Sequence, residues 1–273
     1  MKRSLALLLP VALLVSCCGV TKTRDLPGPD RDGKIFRVAT YNVGVFGKSG
    51  SNTTGMVASM LKELGVQAVS LNELDSCTVR HPDYQIKGLA DAMGGWNWWF
   101  APALNYQGGK YGIGIISEPG LKVLRRHKLA LAKGDGSEPR ALAVCEFEKF
   151  IFCSTHLDYV TVASQVGQAR QICAWVEAMY GKSDKPVILC GDFNAGPDSE
   201  VLALMRENWT VLSPQGFTYS AKNPHECIDY VMVYKNASSR VKVLEAAIPT
   251  VFATGDVTVA SDHLPVYVKL EID

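Results

Sequence analysis

The chain has 273 residues, 47% of them hydrophobic and 20% charged, with 28 lysines and arginines against 27 aspartates and glutamates. This is the composition of a folded globular protein and excludes a disordered, collagenous or coiled-coil chain. A net charge of +1 also lacks the strongly basic balance that marks polynucleotide-binding domains, although a local basic groove is compatible with it.

Lys2 and Arg3 precede an apolar run over residues 5–15 that is too short to cross a bilayer and has the charge layout of a secretory signal. The run ends in Leu14-Val15-Ser16-Cys17, which resembles a bacterial lipobox, where cleavage leaves an acylated cysteine at the new N-terminus. An ordinary cleavage site with an incidental cysteine is the alternative. Residues 1–16 are therefore expected to be removed, Cys17 to carry lipid, and residues 17–33, rich in Pro, Gly, Asp and Arg, to act as a tether. Each buried acyl CH₂ adds about 0.8 kcal/mol of membrane affinity, so several chains would hold the protein on the cell envelope, outside the cytoplasm. Without Lys2 and Arg3 the mature chain has 26 basic and 27 acidic side chains, formally −1.

No repeat, low-complexity block or linker interrupts residues 34–273, which read as one domain. Short apolar runs alternate there with amphipathic stretches, the pattern of an α/β architecture. Strands are predicted over 35–41, 67–72, 96–100, 112–117, 121–129, 140–147, 150–156, 186–191, 228–234, 240–247 and 265–271. Met56, Val57, Met60, Leu61 and Leu64 predict a helix ending before Gly65, and 84–93 a second. A longer helix is predicted over 162–180, and a fourth after Pro197, capped by Asp198 or Ser199. Only Glu148 and Lys149 separate 140–147 from 150–156, so these two strands form an antiparallel hairpin and the sheet is mixed. Cys145, Cys153 and Cys190 lie in strand runs and read as buried free thiols. Trp96, Trp98 and Trp99 read as sheet packing. Gly108-Gly109 is no phosphate loop, because no Gly-Lys-Ser/Thr follows it.

Several of the predicted strands break at polar, ligand-bearing residues. Val187-Ile188-Leu189-Cys190 runs into Gly191-Asp192-Phe193-Asn194, and 150–156 runs into Thr155-His156-Leu157-Asp158. Further chain segments offer Thr40-Tyr41-Asn42, Asn72-Glu73, Ile228-Asp229-Tyr230 and Ser261-Asp262-His263-Leu264. Any one of these acids or amides could simply cap a turn through backbone N–H groups. Together and in this order they resemble the endonuclease/exonuclease/phosphatase superfamily of DNase I-like, metal-dependent phosphoesterases, over residues 36–270.

The resemblance implies a four-layer α/β sandwich, two mixed β-sheets face to face with helices outside, and a site where strand ends meet. It implies Mg²⁺ (or Mn²⁺) held by Glu73 and Asp262 with Asn42 beside both metal and phosphate. Asp192 would orient and deprotonate water, Asn194 would offer an amide, and Asp229 would orient His263 for phosphate binding or proton transfer. His156 would donate to a phosphate oxygen or leaving group, and Arg140 would face the phosphate. Arg80 and Gln107 resemble substrate-side positions of some bacterial members. The glutamate that pairs with the first histidine in DNase I-like nucleases has no counterpart in the Tyr111 to Ser117 segment, and Asp158 is poorly placed to replace it. His81, His127 and His225 carry no assignment.

The expected activity is hydrolysis of a phosphodiester or phosphomonoester in a monomeric protein. Lipid head groups, small phosphorylated molecules and nucleic acid all remain as substrates, the first two favoured by the charge and the anchor. A nuclease and a non-catalytic surface-binding lipoprotein are the alternatives. A dinuclear metallophosphatase of the other common fold is disfavoured, since the chain lacks an early Asp-x-His and a Gly-Asn-His-Asp/Glu motif.

Overall fold

The computed structural model describes residues 34–273; the signal over 1–16, Cys17 and the tether to residue 33 lie outside the described residues. In chain order the elements are β1 (Ile35–Asn42), α1 (Thr54–Leu64), β2 (Ala68–Ser76), α2 (Gln85–Ala92), β3 (Asn97–Tyr106), β4 (Gly109–Ser117), β5 (Arg125–Leu131), β6 (Arg140–Glu146) and β7 (Ile151–His156). They continue as α3 (Val162–Tyr180), β8 (Val187–Asp192), α4 (Glu200–Arg206), β9 (Trp209–Val211), β10 (Asp229–Tyr234), β11 (Val241–Ala247), α5 (Val257–Ala260) and β12 (Val266–Ile272). None of these helices is long and apolar enough to cross a membrane.

Period-two alternation assigns each strand face to a core. Phe36 and Val38 of β1 enter a central core with Phe152 of β7, Ile188 and Cys190 of β8 and Val231 of β10. Ala39 and Tyr41, on the other face of β1, pack with Val57, Leu61 and Leu64 of α1 and Ile86 and Leu89 of α2. On the far side, Leu189 and Met232 pack with Ile172 and Val176 of α3 and Leu202 of α4. Two sheets thus lie face to face with helices outside, the four-layer DNase I-like sandwich.

One sheet has the order β11-β12-β1-β2-β4-β3 and the other β5-β6-β7-β8-β10-β9. Each is built on a central parallel pair joined by a helix, β1-α1-β2 and β7-α3-β8, with antiparallel strands on both flanks. Adding six to each strand number of the first order, counting cyclically through twelve, gives the second. The chain therefore repeats a topology that its residues do not repeat.

Helix ends follow local chemistry. α1 stops at Gly65, which adopts a left-handed φ of 61° and donates to the Lys62 carbonyl. Thr161 and Ser199 cap α3 and α4 by accepting from the Ser164 and Leu202 amides. The β6–β7 hairpin is antiparallel as predicted.

Some boundaries move. β5 starts at Arg125 rather than 121, because Leu121 and Val123 pack against the central core without joining a ladder. The separate strands read at 96–100 and 112–117 form one long hairpin, β3–β4, turning at Gln107 and Gly108 with φ of 44° and 81°. The three-residue β9 was too short to register as a strand. The run that was expected to end at residue 72 continues to Ser76 through a bulge, where Asn72 and Glu73 together face a single residue of β4. Among the described residues all six cysteines are free, and Cys145, Cys153 and Cys190 are buried.

Candidate active site

The inward faces of the central strands change character toward one end of the sandwich. Along β1 they read Phe36, Val38, Thr40, Asn42; along β2, Ala68, Ser70, Asn72; along β7, Phe152, Ser154, His156; along β8, Ile188, Cys190, Asp192. Apolar groups give way to hydroxyls or a thiol, then to amide, imidazole and carboxylate. The Ser70 hydroxyl donates across the sheets to Ser154 at 2.7 Å. Register then levels the ends: Asn42 lies beside Asn72, His156 beside Asp192, and Asp192 opposite Asp229.

Asp192 is the node of the cluster and is 1% exposed. Its Oδ2 accepts from Asn42 Nδ2 at 3.0 Å and lies 3.5 Å from His156 Nε2 and 3.6 Å from His263 Nε2. Its Oδ1 accepts from the Asn194 backbone N–H at 2.8 Å, so the Asp-Phe-Asn turn fixes the carboxylate while the residue also faces the site. Asn194 supports this with φ of 48°, and its side-chain amide donates to the Leu157 carbonyl. Gly191 is needed beside it: a Cβ there would stand 2.0 Å from the Thr155 carbonyl oxygen of the neighbouring strand.

His263 Nδ1 lies 2.9 Å from Asp229 Oδ2. Burial opposes charge on this ring, but Asp229 and Asp192 outweigh it and lift His263 to about 10. His156 shifts the other way: burial, then the cations Arg140 and His263, hold it well below the usual histidine value. One imidazolium and one neutral imidazole therefore flank the same carboxylate. Burial, and next the facing Asp229, push Asp192 itself up to about 7.

Glu73 and Asp262 stand nearer solvent. The bulge gives Glu73 a φ of 56°, uncommon for a residue with a Cβ, and turns its side chain to the site, where Asn42 Nδ2 donates to Oε1 at 3.1 Å. Asn42 Oδ1 accepts from the Gly44 amide, leaving its NH₂ toward the acids. Ser261 donates to the Asn42 carbonyl and clamps the 261–263 segment onto the end of β1. Lys48 Nζ lies 3.2 Å from Asp262 Oδ2 and 3.5 Å from Glu73 Oε2. Oxygens of these two acids thus converge on one cationic point, and hard carboxylate donors with room for water suit Mg²⁺ or Mn²⁺. Ligand atoms of Asp192, Asp229 and His263 also lie within 4.8 Å of one another and form a second, buried set that could hold an ion.

Arg140, 3% exposed, pairs with Glu138 at 2.9 Å and keeps a buried Nε without a partner. The surrounding cleft of about 460 Å³ is lined by Lys48, Glu73, Tyr111, Glu138, Arg140, His156, Tyr159, Asp192, Asn194, Tyr219, Glu226, Asp262 and His263. Arg80 and Gln107 stand outside this lining: Arg80 is bidentate to buried Asp75 and stacks over Tyr106, and Gln107 accepts from the Arg80 amide. Asp158 is no partner for His156, because its oxygens accept from the amides of Ser137, Val160 and Thr161.

Sequence reasoning assigns no role to Lys48 or Glu138, and quotes Asn72 only as the neighbour of Glu73. Asn72 donates to the Thr155 carbonyl at 2.7 Å and accepts from the Asp192 amide at 3.2 Å, stitching the two sheets beneath the site. Its signal was available in the hydropathy pattern, an amide at an inward strand position.

The model of the Endonuclease/Exonuclease/phosphatase family matches residues 39–263. No curated protein matches the sequence significantly. Among solved structures, an endonuclease/exonuclease/phosphatase from Bacteroides vulgatus superposes with a TM-score of 0.73 at 19% identity, over 88% of this chain and 100% of that one. A mannosyl-6-phosphatase from Bacteroides thetaiotaomicron gives 0.67 at 17%, over 86% and 99%. A 2′,3′-cyclic phosphatase gives 0.68 at 14%, over 87% and 95%.

Proposed function

The chain belongs to the Endonuclease/Exonuclease/phosphatase family, and from that membership we propose that it hydrolyses a phosphoester by attack of water activated at Asp192. The observation that carries this reading is the environment of Asp192, a buried carboxylate fixed by two amides between a cationic and a neutral histidine.

Asp192 accepts the proton of the attacking water. His263, charged and oriented by Asp229, donates to a phosphate oxygen and balances the negative charge that grows in the transition state. His156 donates as a neutral N–H, Arg140 brings a positive charge to the cleft, and Asn42 holds Asp192 and Glu73 at a fixed separation. Mg²⁺ or Mn²⁺ held by Glu73 and Asp262, with Asn42 alongside, would supply Lewis-acid stabilisation of phosphate oxygen charge.

A small phosphorylated molecule or a lipid head group fits better than a polynucleotide. Glu73, Glu138, Glu226 and Asp262 line the cleft with Lys48 and Arg140, so it lacks the basic surplus that a polyanion requires, and the chain without residues 1–16 would be formally −1. A solved neighbour that is a mannosyl-6-phosphatase is in keeping with a small substrate. Lipidation at Cys17 would place this activity at a membrane on the cell envelope.

The test is hydrolysis by the purified protein, with Mg²⁺ or Mn²⁺, of bis-p-nitrophenyl phosphate, sugar phosphates, sphingomyelin, phosphoinositides and plasmid DNA. Asp192→Ala and His263→Ala should each lower turnover by about 10²–10⁴-fold while the fold persists by circular dichroism. A wild type that binds metal yet cleaves nothing would leave the surface-binding alternative standing.

A further inference from the structure

The loop after β1 is wound in an unusual way. Gly44, Val45 and Phe46 have consecutive φ values of 51°, 52° and 52°, the second on a β-branched residue and the third on an aromatic one, both buried. On residues that carry a Cβ such conformations are strained and persist only where the surroundings impose them. Here the turn is pinned by the Phe46 amide on the Val43 carbonyl, the Gly47 amide on Gly44 and the Thr53 amide on Phe46. Its product is the position of Lys48. The lysine stem lies over the bare α-carbon of Gly44, where any Cβ would stand 2.4 Å from Lys48 Cγ and 3.1 Å from Cε. At the end of that stem the ammonium sits between Asp262 and Glu73, at 3.2 and 3.5 Å. A surface lysine meeting two acids by chance needs neither a strained loop nor a missing side chain beneath it.

We propose that Lys48 is a displaceable counter-cation that occupies the place of the divalent metal between Glu73 and Asp262 and must swing out before the metal enters. The inference rests on the reading of Glu73 and Asp262 as metal ligands. In the metal-free protein the ammonium offsets repulsion between the two carboxylates and keeps them turned to a common point. Its compact charge and four-carbon stem suit this exchange, because the side chain is 42% exposed and can leave along the open cleft. Lys48 is thus a positioning residue for the metal, and it makes metal binding weaker than the two acids alone would give.

The test is direct Mn²⁺ titration of wild type, Lys48→Met and Lys48→Arg, followed by loss of the free-ion signal in electron paramagnetic resonance. Unfolding temperatures with and without Mn²⁺ are recorded in parallel. Removing a unit charge a few ångströms from the ion should tighten Mn²⁺ binding roughly tenfold in Lys48→Met. Lys48→Arg should stay within about twofold of wild type, because a cation still competes. The rise in unfolding temperature on saturation should be larger for Lys48→Met than for wild type. Mn²⁺ affinity in Lys48→Met equal to or weaker than wild type overturns the inference and leaves the metal reading intact. Absence of Mn²⁺ binding in all three proteins overturns the metal reading itself, and the inference with it.

Discussion

The base role proposed for Asp192 requires its ionised form, so its raised value has a direction in kinetics. The rate should climb as pH rises through a midpoint at or below about 7, since a bound divalent ion stabilises the carboxylate further. A pH–rate profile that is flat between about pH 5 and 8 would move the base role elsewhere. Asp158 has the opposite shift. Burial alone would raise it, and the amides of Thr161, Ser137 and Val160 reverse that and hold it below the usual carboxylate range. A lowered folded value means that its stabilisation is complete above the unfolded value near 3.9 and is lost as pH falls through the folded one. Asp158→Asn should therefore cost about 1–3 kcal/mol at neutral pH, with a shallower loss of stability in acid than wild type. At this scale, Asp192, Asp229, His156 and His263 were legible because chemistry interrupts an apolar strand. Lys48 was not, because a lysine in a Gly/Ser-rich loop has no meaning until the chain brings Glu73 and Asp262 to it.

Strand pairs set the positions of those residues, and β7 with β8 leaves no room for a side chain at Gly191. A Cβ at Gly191 would press on the Thr155 carbonyl, which belongs to backbone and cannot turn aside. Gly191→Ala should separate the strands beside His156 and Asp192, cost about 2–4 kcal/mol by urea unfolding, and lower turnover by more than that loss of folded protein explains. Element types were readable where period-two or helical spacing was regular, as in β1, β7, β8 and α3. Burial without pairing misled at Leu121 and Val123. The β2 bulge was hidden for a different reason: Asn72 and Glu73 are polar, and a polar pair after an apolar run reads as the end of a strand. The side-chain direction that makes Glu73 useful comes from one backbone residue outside the ladder.

The two-sheet arrangement is expected from family resemblance, since eleven strand patterns alone do not say which sheet each joins. Hydropathy marks a buried strand without naming its neighbour. A lipid at Cys17, if attached, would act on the whole molecule, and Cys17→Ser should move the protein from the membrane to the soluble fraction with its activity on a water-soluble ester unchanged. Retention of Cys17→Ser on membranes would rule out that anchor. The strand order has a further effect in time. β12 lies between β1 and β11, and Asp262 and His263 immediately precede it. Asn42 and Glu73 emerge early in synthesis, whereas the partners that complete their sheet emerge last, across the longest loop closure in the chain. A growing polypeptide therefore carries only half of this cluster of side chains through most of its synthesis and completes it when its final strand docks.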